Sequence, residues 1–294
     1  MIKNSEILFL YDAKMTNPNG DPDEENRPRM DYEREINLVS DLRLKRYIRD
    51  YFNNNGEDIF VKKLDGKSVK PEKIVDKLKD DLGKKKLESE DILNNLIDVR
   101  LFGATMPIQG STKTFTGPVQ FNWGYSLNKV ELMESAITSH FATGDKNSQG
   151  AMGRDYRVKY SFVAFSGVIS GNRAKETLLK EEDLSKLDNS IVKSIPLLAT
   201  RSKVGQYSRL YLRVEYKDNE TILGDMRSMV KLNEIKQNPR DISEVELSLK
   251  ELFAYLEENK DKIDTIYYYK HPNMKIIEGE ITDIFKKINL VEIG

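Results

Sequence analysis

The stretch NPNGDPDEENRPRMD, residues 17–31, sets the reading of everything around it. It follows a short apolar run, SEILFLYDAK (5–14), and precedes an amphipathic run, INLVSDLRLKRYIRDYF (36–52). Pro18, Pro22 and Pro28 fix φ and remove backbone donors, and the pair Asn19-Gly20 tolerates positive φ. The stretch is therefore expected to be a long, stiff, shaped loop that leaves a strand and enters a helix. The strand carries Ile7, Phe9 and Tyr11 on one alternating face and Leu8 and Leu10 on the other, a pattern that belongs in the middle of a sheet. In the run after the loop, Leu44, Tyr47, Ile48, Tyr51 and Phe52 recur at i, i+3, i+4, i+7 and i+8, one buried helical stripe. On the helical wheel Lys45, Arg46 and Arg49 fall within about 100° of one another, away from that stripe. They read as a basic face open to solvent, with Arg27 and Arg29 beside the helix start.

Further along, residues 53–70 are polar and read as loop, and 71–82 and 89–101 read as helices with a charged turn between them. Pro71 suits a first helical turn. The region 53–105 is thus expected to be a helical insertion between two sheet strands. Gly103, Pro107, Gly110, Gly117 and Pro118 then mark a looping segment, VQFNWGYSL (119–127) a strand, and 128–141 leaves helix and strand equally open. The segment around 140–156, including ATGDKNSQGAMGRDY (142–156), has no apolar periodicity and reads as a mobile loop. RVKYSFVAFSGVIS (157–170) is β-branched and aromatic, 172–198 reads as helix, and YSRLYLRVEY (207–216) alternates cleanly. Near the end, Ser243 with Glu246 forms a capping-box pattern, and Val245, Leu249, Leu252, Phe253 and Leu256 continue it as an amphipathic helix. TIYYYK (265–270) reads as strand and 276–289 as a last helix. The order strand, helix, insertion, strand, strand, helix, strand fits a ferredoxin-like βαββαβ core in an α+β chain.

The chain has 294 residues, 38% hydrophobic and 32% charged, and reads as globular and soluble. It has no apolar run long enough to span a bilayer and no charged-then-apolar leader, so no membrane partner is expected. Without cysteine there are no disulfides and no thiolate metal sites, which fits a cytoplasmic location. A net charge of −1 argues against a freely nucleic-acid-binding chain, but 47 lysines and arginines are enough for a basic surface if they cluster.

Enzyme motifs are lacking. There is no G-x-S-x-G, no Walker-type loop and no dinucleotide fingerprint. His140 and His271 have no ligand spacing, and Asp21, Asp23 and Asn26 resemble fragments of a calcium loop whose closing Glu is replaced by Tyr32. No metal and no cofactor is expected. Cations, by contrast, recur beside aromatic residues. TRSKVGQYSR (200–209) carries Arg201, Lys203 and Arg209 around Gly205, and GRDYRVKY (153–160) carries Arg154, Arg157 and Lys159 beside Tyr156 and Tyr160. Such clusters supply what single-stranded RNA needs, cations for phosphate and flat surfaces for bases, and each is equally readable as a solvated surface. Met106, Pro107 and Ile108 could wedge between bases or pack in a core.

The succession of a strand, N-P-N-G-D-P-D, N-x-P-R-x-D and a helix carrying L-K-R resembles the backbone subunit of the CRISPR Cascade complexes, the "Cas seven" family of the repeat-associated RNA-binding (RAMP) superfamily. The likeness is closest to subtypes I-B and I-C. FGATMPIQ with TGPVQFNWGYS (102–126) and ATRSKVGQY (199–207) also resemble the family, so that the likeness spans roughly residues 1–216. The C-terminal residues after 216 add little to it. The resemblance implies one elaborated domain over 1–294: an RRM-like palm with helical insertions and a projecting loop or thumb. It implies a non-enzymatic subunit that binds the CRISPR guide RNA, stacks with other copies of itself along that RNA, and meets other Cascade subunits and the target DNA strand. It places Ser40, Arg43, Lys45 and Arg46 of the helix opening on the RNA; Arg49 of the same basic face, Arg27 and Arg29 beside the helix start, and Asn17, Asn19 and Gly20 of the loop join them as candidates. Arg154, Arg157, Arg201 and Lys203 follow from the later clusters. Asp41 departs from a serine-rich version of the helix opening.

Two other readings compete. One is a RAMP-superfamily endoribonuclease that processes guide RNA or cleaves target RNA, for which Asp12 or Asp31 would serve as the loop aspartate. The other is an unrelated protein-only interaction module, which would carry no RNA on purification.

Overall fold

The computed structural model describes residues 1–108, 111–142, 150–286 and 288–294. The first apolar run forms β1 (Ser5–Thr16), buried on both faces as its double alternation requires. The shaped loop then folds back on itself through β2 (Gly20–Asp21), a 3-10 turn at Pro22–Glu24, β3 (Arg27–Pro28) and β4 (Met30–Asp31). Positive φ falls on Glu25 and Asn26, at 52° and 62°, and not on the Asn19-Gly20 pair. Gly20 is required for space instead: a Cβ there would lie 2.0 Å from Asn26 Oδ1.

The run at 36–52 is not one helix. Ile36 to Val39 alternate partly buried and buried, which is strand period, and form β5 (Ile36–Val39). Ser40 then caps α1 (Asp41–Asn54) by accepting the Arg43 backbone N–H at 3.2 Å. The insertion contains α2 (Pro71–Asp81), α3 (Ser89–Asn95) and α4 (Ile97–Phe102) around a small core that includes Phe60, Ile74, Leu78, Ile92 and Met106. Met106 therefore packs in this core. The looping segment expected next is a hairpin, β6 (Gly103–Ile108) with β7 (Ser111–Thr116). Gly103, at φ 75° with its bare Cα against Phe115 O, makes the entry turn.

The strand expected at 119–127 is split into β8 (Val119–Phe121) and β9 (Gly124–Ser126). The ambiguous 128–141 resolves as β10 (Leu132–Ala142), and β11 (Gly150–Ile169) begins far earlier than its β-branched heart. The two pair from Leu132 with Val158 to Thr138 with Met152. Residues 150–156 are thus strand, not mobile loop, because 152–156 are held in that ladder and Gly150 pairs with Ala142 beyond a register shift; residues 143–149 lie outside those described. Then come α5 (Gly171–Glu176), α6 (Glu181–Leu197) and β12 (Gln206–Tyr216).

Two expectations near the end are corrected. Val245 to Ser248 alternate buried and half-buried and form β14 (Val245–Ser248), paired with β13 (Lys231–Glu234), so Glu246 is in a strand and closes no capping box. The helix starts after it, as α7 (Lys250–Glu258). β15 (Ile263–Lys270) is as expected, but the last helix shrinks to one turn, α8 (Ile281–Ile284), before β16 (Asn289–Glu292).

The result is a mixed α+β fold built on one large mixed sheet. Its strands run in the order β16-β15-β12-β1-β11-β9-β5-β4, with β8 and β10 also paired to β11. Neighbours are antiparallel except β15 and β16, which are parallel. One face packs on α1 and α6, where Phe9, Tyr11, Phe165 and Tyr211 meet Leu44, Tyr47, Ile48, Leu187 and Ile191. The other face, with Leu8, Leu10, Phe162 and Leu212, is covered by Met226, Leu247, Leu252, Phe253 and Phe285 from the C-terminal layer. No helix among the described residues is long and apolar enough to cross a membrane.

Candidate nucleic-acid interface

The shaped loop is locked onto the start of α1. Asn19 Oδ1 accepts from both the backbone N–H of Ser40 at 2.9 Å and its hydroxyl at 3.0 Å. Asn17 is buried and donates from Nδ2 to Asn26 O at 2.7 Å, while its backbone N–H donates to Ser202 O at 3.0 Å. The 199–205 loop thereby packs against the first loop, and Lys203 Nζ donates to the carbonyls of Asn17 and Pro18. Tyr47 OH lies 3.3 Å from both Pro18 O and Gln206 Oε1, and Gln206 Nε2 donates to Lys203 O at 3.1 Å. Arg43 stacks over the Tyr47 ring at 4.1 Å. Residues distant in sequence thus converge on one spot: Asn17, Asn19, Ser40, Arg43 and Lys203.

Electrostatics separates the candidate cations. Arg29 pairs with Asp21 at 2.8 Å, and Arg46 with Asp50 at 2.6 Å. Arg154 meets Glu134 at 3.0 Å, and Arg157 and Arg201 share Asp155 at 2.8 and 3.1 Å. Burial pushes Asp155 up, but the hydrogen bonds and charge of Arg157 and Arg201 outweigh it and hold the carboxyl below its ordinary range. Arg27 lies over the Tyr156 ring at 4.5 Å and donates to its hydroxyl, which donates in turn to Glu25 at 2.7 Å. Among the described residues, Arg43 and Lys203 alone of the candidate cations have no carboxylate partner, and the buried Arg43 Nε has no acceptor at all. Burial, with the charge of Arg43 added to it, lowers the Lys203 ammonium to about 7. A pair of neighbouring cations without a counter-charge is a seat for an anion.

The solvent-facing basic stripe expected on α1 is corrected here. Lys45 and Arg49 are only 7% and 9% exposed. Lys45 reaches Asp41 at 3.2 Å and Gln120 at 2.9 Å, so that the departing Asp41 serves it as a partner. Arg49 donates to Asp98 at 2.8 Å, and Asp98 also takes the N–H groups of Phe60 and Val61. The inserted α4 covers what the wheel left bare. Only Arg46 of the three is half-exposed.

The alternative catalytic aspartates are both engaged. Asp12 is buried and bidentate with Arg209 at 2.8 and 2.9 Å, with Tyr160 OH at 3.2 Å. Asp31 accepts the Arg34 N–H at 3.1 Å. Of the calcium-like fragment, Asp21 is occupied by Arg29 and by the Asp23 N–H. A cleft of about 670 Å³ between Glu25, Glu134, Ala136, Gly153 and Arg154 has, among the described residues, two carboxylates for one cation and is a poor seat for a polyanion.

Comparison with known proteins identifies the family. Residues 3–250 match the family described as CRISPR-associated protein Cas7. The chain belongs to the Cas7 family. A CRISPR-associated protein Cas7 of Haloferax volcanii is 34% identical over 308 residues, covering 96% of this chain and 91% of that protein. Two solved chains, described as a CRISPR RNA-guided surveillance complex in a pre-nicking state and a CRISPR RNA-guided surveillance complex, share the fold at TM-scores of 0.53 and 0.54. They are 12% and 13% identical and cover 96% and 98% of this chain, and 98% and 94% of their own length. The Cas7 match runs past residue 216, where the motif resemblance stopped, and so takes in β13 and β14 of the covering layer. Sequence reasoning missed three features of this candidate site in the Cas7-family chain. The Asn19–Ser40 lock has a signal, a serine just before the apolar stripe of α1. The Lys45–Gln120 contact and the isolation of Arg43 with Lys203 have none, because they depend on which acids the fold brings near.

Proposed function

We propose that this chain is a non-catalytic backbone subunit of a Cascade-type RNA-guided surveillance complex, holding the ribose-phosphate chain of a guide RNA. The strand order β12-β1-β11-β9 with α1 and α6 on one face supports an RRM-like, ferredoxin-like palm, and the 53–105 insertion and the β10–β11 hairpin elaborate it within one domain. The observation that carries the reading is the pair Arg43 and Lys203, uncompensated beside the locked start of α1 while the other candidate cations are matched. Such a grip contacts phosphate and carries no sequence information, as a subunit serving varied guides requires. Several copies would stack head to tail along the guide without closing a ring, in the cytoplasm, alongside other Cascade subunits and the target DNA strand. The Haloferax relative is named for the same family, which supports this reading.

The test is RNA affinity across a salt series. Each phosphate contact removed lowers the log-affinity against log-salt slope by about 0.7 for a single strand. Arg43→Ala and Lys203→Met are expected to lower it by about that amount each, equally for RNAs of unrelated sequence. Lys85→Ala, on the charged turn of the insertion, is the control. Unchanged slopes in both variants would sink this site as the grip.

A further inference from the structure

Tyr207 and Trp123 are both open to solvent near this grip, and the indole is the larger ring. Trp123, the chain's single tryptophan, is 43% exposed, whereas Phe121 and Phe165 nearby are buried. Its backbone is held on both sides. The Trp123 N–H donates to Asn122 Oδ1 at 2.8 Å, and its carbonyl accepts from the buried Arg227 at 2.6 Å. Asn122 is itself tied by its N–H to Ser166 O at 2.9 Å. Next in sequence, Gly124 passes so close to the sheet that a Cβ would lie 2.6 Å from the Phe165 ring. The chain is therefore pinned on either side of an indole that fills no core. The Arg29 guanidinium lies 5.9 Å from the indole centroid. The antiparallel register of Leu38 with Tyr125 and Val39 with Gly124 brings Ser40 and Trp123 next in line. Asn19, which holds Ser40, also accepts the Arg29 N–H on its backbone carbonyl at 3.0 Å.

We propose that Trp123 is the stacking platform for one base of the bound single-stranded RNA, set beside the phosphate grip of Arg43 and Lys203. The proposal rests on the RNA-binding reading above. Every base has a π-face, so a fixed, exposed indole accepts any of them, on the face opposite the Asp21-paired Arg29 guanidinium that lies over the ring. It orients a base without reading it, which a grip on the ribose-phosphate chain alone does not do.

Because Trp123 is the only tryptophan, its emission reports the contact directly. A mixed-sequence RNA and an abasic ribose-phosphate strand of equal length are titrated, with binding followed independently by anisotropy of an end label. RNA is expected to quench the tryptophan and the abasic strand to leave it unmoved. Trp123→Ala is expected to weaken RNA binding by about fivefold to about a hundredfold, to leave abasic binding unchanged, and Trp123→Phe to restore most of the loss. RNA that binds with unmoved emission and equal affinity in Trp123→Ala overturns the platform and leaves the grip standing. Equal weakening of RNA and abasic strands also overturns it, since the ring would then only support the local fold. A chain that binds neither strand overturns both.

Discussion

Lys203 points its ammonium at the carbonyls of Asn17 and Pro18, with Arg43 nearby and, among the described residues, no carboxylate to answer either charge. Burial first, and Arg43 second, lower its proton affinity to about 7, against about 10.4 for a free lysine. Between those two values the unfolded chain holds a proton that the folded chain has released, so this residue makes stability rise with pH across the window from about 7 to about 10.4. An anion seated on the pair reverses the shift, because it stabilises the charged amine. RNA binding somewhat above pH 7 should therefore take up protons, and affinity should fall as pH rises. Calorimetry in two buffers of different ionisation enthalpy measures the uptake, and Lys203→Met should abolish it. No uptake in the unaltered chain would mean that RNA does not reach this amine. Lys203 and Arg43 were both legible in the sequence as cations, but nothing distinguished them from Arg157 or Arg201. That distinction comes from Asp155, which the fold places against the latter two and away from the former.

At the scale of elements, α1 shows how a wheel misleads when an insertion folds over it. Its apolar stripe was legible, and Leu44, Tyr47, Ile48 and Phe52 are all buried. The opposite stripe was not, because Asp98 lies well down the chain and a helical period gives no information on what packs across it. Arg49 thus ties α1 to α4, as Arg100 ties α4 to Asp183 of α6 at 2.8 Å through two bonds. Removing one partner of such a buried pair costs about 3 kcal/mol or more. Arg49→Ala should therefore lower unfolding stability by about that amount, whereas Arg46→Ala, which loses an exposed pair with Asp50, should cost about 0.5 kcal/mol. Denaturant midpoints of the two variants decide it, and equal midpoints would show the pair to be idle. The same limit explains the C-terminal misreadings. Val245 and Leu249 fit a helical template with Leu252 and Leu256 and, with Leu247, a strand template as well, and pairing with Lys231 to Glu234 chooses the strand for Val245 to Ser248.

At the scale of the whole molecule, the sheet is apolar on both faces and needs two layers. Its double alternation was readable from β1, which places Leu8 and Leu10 against one layer and Phe9 and Tyr11 against the other. Of the second layer, the apolar stripe of α7 and the strand β15 were readable, but not that they cover this face, because a period does not say which surface its stripe meets. Truncation after Lys217 would strip Met226, Leu252, Phe253, Ile266 and Phe285 from the sheet. The shortened chain should lose its cooperative thermal transition and bind a hydrophobic dye; a sharp transition without dye binding would show that layer to be dispensable. The covered sheet has one more consequence. A sheet with an open face can lay several bases flat across its aromatic residues, but among the described residues both faces are occupied, so on the proposed reading RNA meets this chain along a line of strand ends and the start of α1 and not across the sheet. A line of contact is short, and each copy alone should hold RNA loosely. Retention then depends on avidity: adjoining copies on one RNA supply each other's effective concentration, so that holding power climbs steeply with the number of copies seated and truncated guides are shed.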